Sequence, residues 1–119
     1  MKSHSKFLVF VADPQDGLLP SSLCATVEQE VKSKGLAPKS IGVEYLEGRQ
    51  KVVLSLGYNE LETGYPIKLQ AIRLGKLGLD PQAIASAMET AAAKVNGVIC
   101  HEFYVLGDEE YVLVVMTLA

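Results

Sequence analysis

The stretch Asp80–Leu118 decides the fold: DPQAIASAMETAAAKVNG (80–97), then VICHEFYVLGDEEYVLVVMTL (98–118). Asp80 before Pro81 is a helix start, because the carboxylate can cap free amides and proline lacks the N–H that the first helical position would leave unpaired. Ile84, Met88, Ala91, Ala92 and Val95 then fall on one stripe, with Gln82, Ser86, Glu89, Thr90 and Lys94 on the remaining face. Alanines along the stripe let the helix lie close to a sheet. Asn96-Gly97 stops it. Val98–Leu106 and Tyr111–Leu118, joined by the turn Gly107–Glu110, read as a β-hairpin.

Working outward, the first half carries a fainter copy of the same unit. Lys6–Ala12 (KFLVFVA) is an apolar run of strand type, ended by Asp13-Pro14. Ser21 or Ser22 is placed to cap a helix with Leu23, Cys24, Val27 and Val31 on one face, and Gly35 ends it. On its solvent side Glu28–Lys32 and Glu30–Lys34 are spaced as i,i+4 ion pairs. Lys39–Leu46 and Lys51–Gly57 form a hairpin around Glu47–Gln50. Tyr58–Tyr65 is polar and contains glycine, which marks a loop. Pro66–Leu74 is one more strand, whose apolar phase changes between Ala71 and Ile72, as a bulge or burial on both faces would produce.

The order is β-α-β-β-β-α-β-β, an α+β class chain in a single domain over 1–119, with a flexible tail at 1–5. It divides into two possible repeats, 6–57 and 66–118, related by a pseudo-twofold. The two hairpin turns carry opposite charges, Arg49 and Lys51 against Asp108 and Glu110, which suggests a docking contact. The expected architecture is two helices packed on one face of a mixed sheet. Tyr111–Leu118 is apolar on both of its faces, and the chain has no third helix to cover the second. Another copy of the chain is the economical cover, so a homo-oligomer, trimer or dimer, is expected.

Composition narrows the function classes. Of the residues, 49% are hydrophobic and 21% charged, as in globular domains, and the net charge is −3. A dedicated nucleic-acid or anionic-membrane binder would carry a basic cluster, which is missing. Two cysteines are too few for a disulfide framework or a zinc site, and no run reaches the roughly 20 apolar residues of a membrane span. The expectation is a soluble, cytoplasmic protein without cofactor or metal.

Two short pieces, Pro38-Lys39-Ser40-Ile41-Gly42-Val43 and Leu69-Gln70-Ala71-Ile72-Arg73-Leu74-Gly75-Lys76-Leu77-Gly78, resemble the macrophage migration inhibitory factor branch of the tautomerase superfamily. The resemblance implies two β-α-β units, a trimeric barrel and a pocket near Arg73. That family's chemistry depends on an N-terminal proline, whereas Met1-Lys2-Ser3-His4-Ser5 precedes the first strand here. Leu36 stands about where the family has a lysine. Ferredoxin-like proteins share the element order and are an equal structural parallel.

Candidate site residues are few. Cys100 and His101 are adjacent in a strand, so their side chains point to opposite faces and cannot form a nucleophile–base pair. His101 lies on the apolar row Ile99, Phe103, Val105, either as a packed histidine or as a pocket acid–base. Arg73 interrupts an apolar strand and needs a partner: a bound anion, or Glu44 or Glu102 in a salt bridge. Glu102 and Tyr104 share the face of Cys100. Gly75–Gly78 precedes a helix but lacks the spacing of a phosphate loop. Two readings follow. One is a homo-oligomer that binds a protein partner or a small ligand, an anion among the candidates, without catalysis of its own. The other is a tautomerase-like isomerase or lyase with an interface pocket using His101 and Arg73, helped by Glu102 or Tyr104.

Overall fold

The computed structural model describes residues 3–119. In chain order the elements are β1 (Ser5–Ala12), α1 (Ser21–Lys34), β2 (Pro38–Leu46), β3 (Lys51–Asn59), β4 (Ile67–Lys76), α2 (Pro81–Ala93), β5 (Val98–Leu106) and β6 (Glu110–Leu118). The α+β class and element order are those read from the sequence. Among the described residues no helix is long and apolar enough to cross a membrane.

The single mixed sheet is not formed. The strands make two separate three-stranded sheets, β1-β3-β2 and β4-β6-β5, in which every pair is antiparallel. Each half of the chain thus builds the same β-α-β-β unit with the same strand order, and each hairpin closes through a tight turn, Glu47–Arg49 or Gly107–Glu109. Hairpins pair locally, whereas joining the units would need a hydrogen-bonded ladder between β2 and β5; those edges approach one another without one.

The helices do not share a face. α1 fills the concave side between the sheets: Leu23, Cys24, Val27 and Val31 pack with Val52, Leu54 and Leu56 of β3 and with Val112, Val114 and Met116 of β6 in one core. α2 lies outside, over the other face of the second sheet, where Met88 and Ala92 border one cleft with Leu113, and Ala87 and Ala91 another with Gln70 and Ile72. Tyr111–Thr117 of β6 is therefore buried throughout, on both faces, within one subunit. The need for a second copy there, inferred from its two apolar faces, is removed. The most exposed apolar row lies on the first sheet, where Phe7, Val9 and Val11 of β1 are 65%, 62% and 62% exposed; on the second sheet α2 leaves Phe103 and Val105 of β5 less exposed, at 39% and 43%.

Local chemistry explains several details. Asp80 caps α2 by accepting from the Gln82 amide at 3.0 Å, as the sequence implied. α1 has no side-chain cap; Pro20 takes the cap position rather than Ser21 or Ser22. Glu28 does not pair with Lys32 on the surface. Its carboxylate reaches across to accept the Leu69 amide of edge strand β4 at 2.8 Å, meeting a backbone donor that no strand pairs. The phase change between Ala71 and Ile72 falls in unbroken register with β6 and reflects burial on both faces, Ala71 against the core and Ile72 on the α2 side; a register shift comes later, between Arg73 and Gly75. Of the tail expected at 1–5, Ser5 already belongs to β1 and the His4 carbonyl accepts the Glu60 amide at 3.0 Å, while Met1 and Lys2 lie outside the described residues.

Candidate functional site

The strand period sends alternate residues of β5 to opposite sides of the second sheet, and this sorts the candidates. Cys100, Glu102 and Tyr104 oppose Met116, Val114 and Val112 on the concave side; His101 and Phe103 oppose Val115 and Leu113 on the α2 side. Arg73 opposes Val112 from β4 and so shares a row with Tyr104. Arg73 and Tyr104 come together. His101 stands on the other face, and within the subunit it opens to no common pocket with Arg73.

The Arg73–Tyr104 pair is a clamp on the loop between β1 and α1. Arg73 Nη1 donates to Glu110 Oε1 and its Nη2 to the Asp16 carbonyl, while Tyr104 Oη donates to the Gly17 carbonyl at 2.7 Å. The partner of Arg73 is thus Glu110, not Glu44 or Glu102. The loop is shaped to reach them: Asp16 and Gly17 have φ of 52° and 80°, and a Cβ on Gly17 would lie 2.7 Å from Leu106 Cδ1. Burial pushes the Tyr104 hydroxyl up to about 12, an effect the nearby Arg73 charge opposes. It is a hydrogen-bond donor at neutral pH, not an acid or base.

Glu102 binds locally, its Oε1 accepting the Phe103 amide at 2.9 Å. It also lines a cleft of about 260 Å³ at the β2–β5 seam, with Glu44, Val53 and Ser55. Burial raises both thiols, that of Cys100 and, with help from Glu28, that of Cys24. Both remain protonated and poor nucleophiles at neutral pH. Cys100 Sγ rests 3.9 Å from Met116 Sδ. Gly75–Gly78 is strapped down rather than open: the Leu77 amide donates to the Glu109 carbonyl at 3.2 Å and Tyr111 Oη to the Gly78 carbonyl at 2.8 Å. The expected docking of the two charged turns takes another form. Glu47 comes up to Gly107, but Lys51 pairs with Asp13 and Glu110 with Arg73.

The remaining candidate, His101, opens into a cleft of about 250 Å³ between α2 and the second sheet, lined by Ala85, Met88, Glu89, Ala92, His101 and Leu113. Its floor is apolar. Its two polar groups, the imidazole of His101 and the carboxylate of Glu89, form no ion pair with each other among the described residues. Such a cleft exists because α2, rich in alanine, has no residue fully buried. An engineered apolar cavity of roughly 150 Å³ admits benzene, so this volume suits a ring-sized molecule. Sequence reasoning placed Met88 on the inward stripe and Glu89 on the solvent face. The cleft needs both, because it opens at the boundary between those two faces. Among the described residues no group of three metal-ligating side chains assembles. Comparison with family models, curated proteins and solved structures finds no match for the chain.

Proposed function

We propose that this chain is the subunit of a homo-oligomer that binds a small, largely apolar ligand between α2 and the second sheet, without catalysis of its own. The observation that carries the reading is the cleft under α2, where Met88, Ala92 and Leu113 supply an apolar floor and His101 and Glu89 a polar rim. Ligand sites have this composition: apolar walls and a few polar groups that fix orientation. His101 can donate or accept a hydrogen bond, and Glu89 accepts one, so the ligand would carry a hydroxyl or amine at one end. The tautomerase-like alternative requires His101 and Arg73 to meet across a subunit interface, and Arg73 is already engaged by Glu110 and the Asp16 carbonyl.

NMR titration with benzyl alcohol, benzylamine and benzoate tests the site. The expected result is saturable shifts of the Met88 methyl and of the Leu113 and His101 amides, strongest for the first two probes and abolished by Ala92→Phe, which fills the cleft. If none of the three probes moves those signals up to its solubility limit, the ligand reading is wrong. Light scattering on the eluted protein tests the assembly. A monomer at every concentration up to high micromolar would remove the homo-oligomer.

A further inference from the structure

The two repeats can be laid over each other through their hairpins, and this identifies what each sheet face should meet. Tyr45–Leu54 corresponds to Tyr104–Leu113, so Val52, Leu54 and Leu56 of β3 match Tyr111, Leu113 and Val115 of β6. Each set faces the helix of its own unit, α1 or α2. The opposite face of the second unit, Val112, Val114 and Met116 with Leu69 beside them, is buried against α1 of the preceding unit. The matching face of the first unit carries neither helix: α1 packs on its other side and α2 lies on the second sheet. That face holds Phe7, Val9 and Val11 of β1, Val53, Ser55 and Gly57 of β3, and Ser40, Gly42 and Glu44 of β2, as the registers show.

From this we infer that the bare face of the first sheet is the self-association surface, closed by the same face of a second copy about a twofold axis near Val9. The inference rests on the homo-oligomeric part of the function proposed above and specifies its geometry. Antiparallel apposition sets Phe7 of each copy toward Val11 of the other and leaves Val9 near its own counterpart.

Three observations favour a second copy in this orientation. The face is apolar along its exposed β1 edge, with large side chains 65%, 62% and 62% exposed, and the charges away from its ends, Glu44 of β2 and Glu102 of the neighbouring β5, lie together at the opposite edge. The ion pair Lys51–Asp13 sits at one end, where a polar rim belongs. Secondly, the plate is of sufficient size. Three strands about 4.8 Å apart and about eight residues long span roughly 25 by 15 Å. Its corrugated accessible surface is on the order of 600 Å² per copy, at the lower limit for a specific interface. Thirdly, head-to-tail stacking, with α2 of one copy on the first sheet of the next, would bury the outward polar groups of α2, Gln82, Ser86, Glu89 and Thr90, against an apolar face. A closed pair avoids that penalty and cannot grow into a fibre.

The test is light scattering on wild type, Val9→Lys and Phe103→Lys, with circular dichroism to confirm folding. Val9 is mostly exposed, so lysine there leaves the subunit intact; Val11→Lys serves if it does not. The expected result is a wild-type mass of two chains, falling to one in Val9→Lys and unchanged in Phe103→Lys, which alters an exposed apolar residue of the second sheet. A monomeric wild type overturns both this inference and the homo-oligomer. A wild-type oligomer that survives Val9→Lys, dissociates with Phe103→Lys, or has a mass other than two chains overturns this surface and leaves the homo-oligomer standing.

Discussion

The two helices of this protein occupy equivalent places in equivalent units, yet they are held very differently. α1 lies between two sheets and buries Leu23, Cys24, Val27 and Val31, whereas α2 lies on one sheet and has no buried residue. α1 also extends the Glu28 carboxylate to accept the Leu69 amide, in a strand of the other unit. α2 leaves a cleft beneath itself. Repetition of a unit thus leaves one helix to bind the structure together and the other with open space beneath it.

The largest effect should come from breaking the α1 side. Leu23→Ala removes a side chain packed between both sheets and should lower stability by about 2–5 kcal/mol, read from the urea midpoint. The clamp that ties the β1–α1 loop to the second sheet comes next. Tyr104→Phe leaves the Gly17 carbonyl without its donor and should cost about 1–2 kcal/mol at neutral pH. Its pH dependence sharpens the point. The folded hydroxyl ionises at about 12 rather than the ordinary 10.0, so the buried neutral form adds stability that is fully present below pH 10 and lost as pH rises toward 12. Because Tyr104 is only 4% exposed, the loss should approach about 2–3 kcal/mol in wild type and be missing in Tyr104→Phe.

Effects on α2 should be smaller and local. Asp80→Ala removes the cap on the Gln82 amide and should cost about 1 kcal/mol, seen first as faster hydrogen exchange in the opening turns of α2. Met88→Ala should cost less than about 1 kcal/mol, since the side chain is half-buried beside a cleft that already has space. An α2 substitution as costly as Leu23→Ala would erase the distinction between the helices.

The elements were legible because each is written in local terms. Asp80-Pro81, Gly35 and Asn96-Gly97 mark helix ends, and the alternation of Ile41, Val43 and Tyr45 marks a strand. The layering was not legible, because it depends on contacts between distant residues. Glu28 has the spacing of a surface ion-pair residue, and only the placement of β4 makes it a strand cap. Arg73 was recognised as needing a partner, but Glu110 becomes that partner through the register of β4 on β6. In the candidate site, His101 was visible as an interruption of an apolar row. Glu89 was not, because a carboxylate on the polar face of a helix looks the same whether or not a cleft opens beside it.

The loop that Arg73 and Tyr104 hold has a consequence for how the chain folds. Tyr104 and Gly17 are 87 residues apart in sequence, Arg73 and Asp16 are 57 apart, and Glu28 and Leu69 are 41 apart. Each contact closes a long segment before it returns any free energy, and such topologies fold in roughly milliseconds to seconds rather than microseconds. As the chain leaves the ribosome, α1 has one wall of its groove and must wait for β4 and β6 to supply the other. The first unit is therefore exposed for the time taken to synthesise the second, and stopped-flow refolding would measure how quickly that second wall closes once it exists.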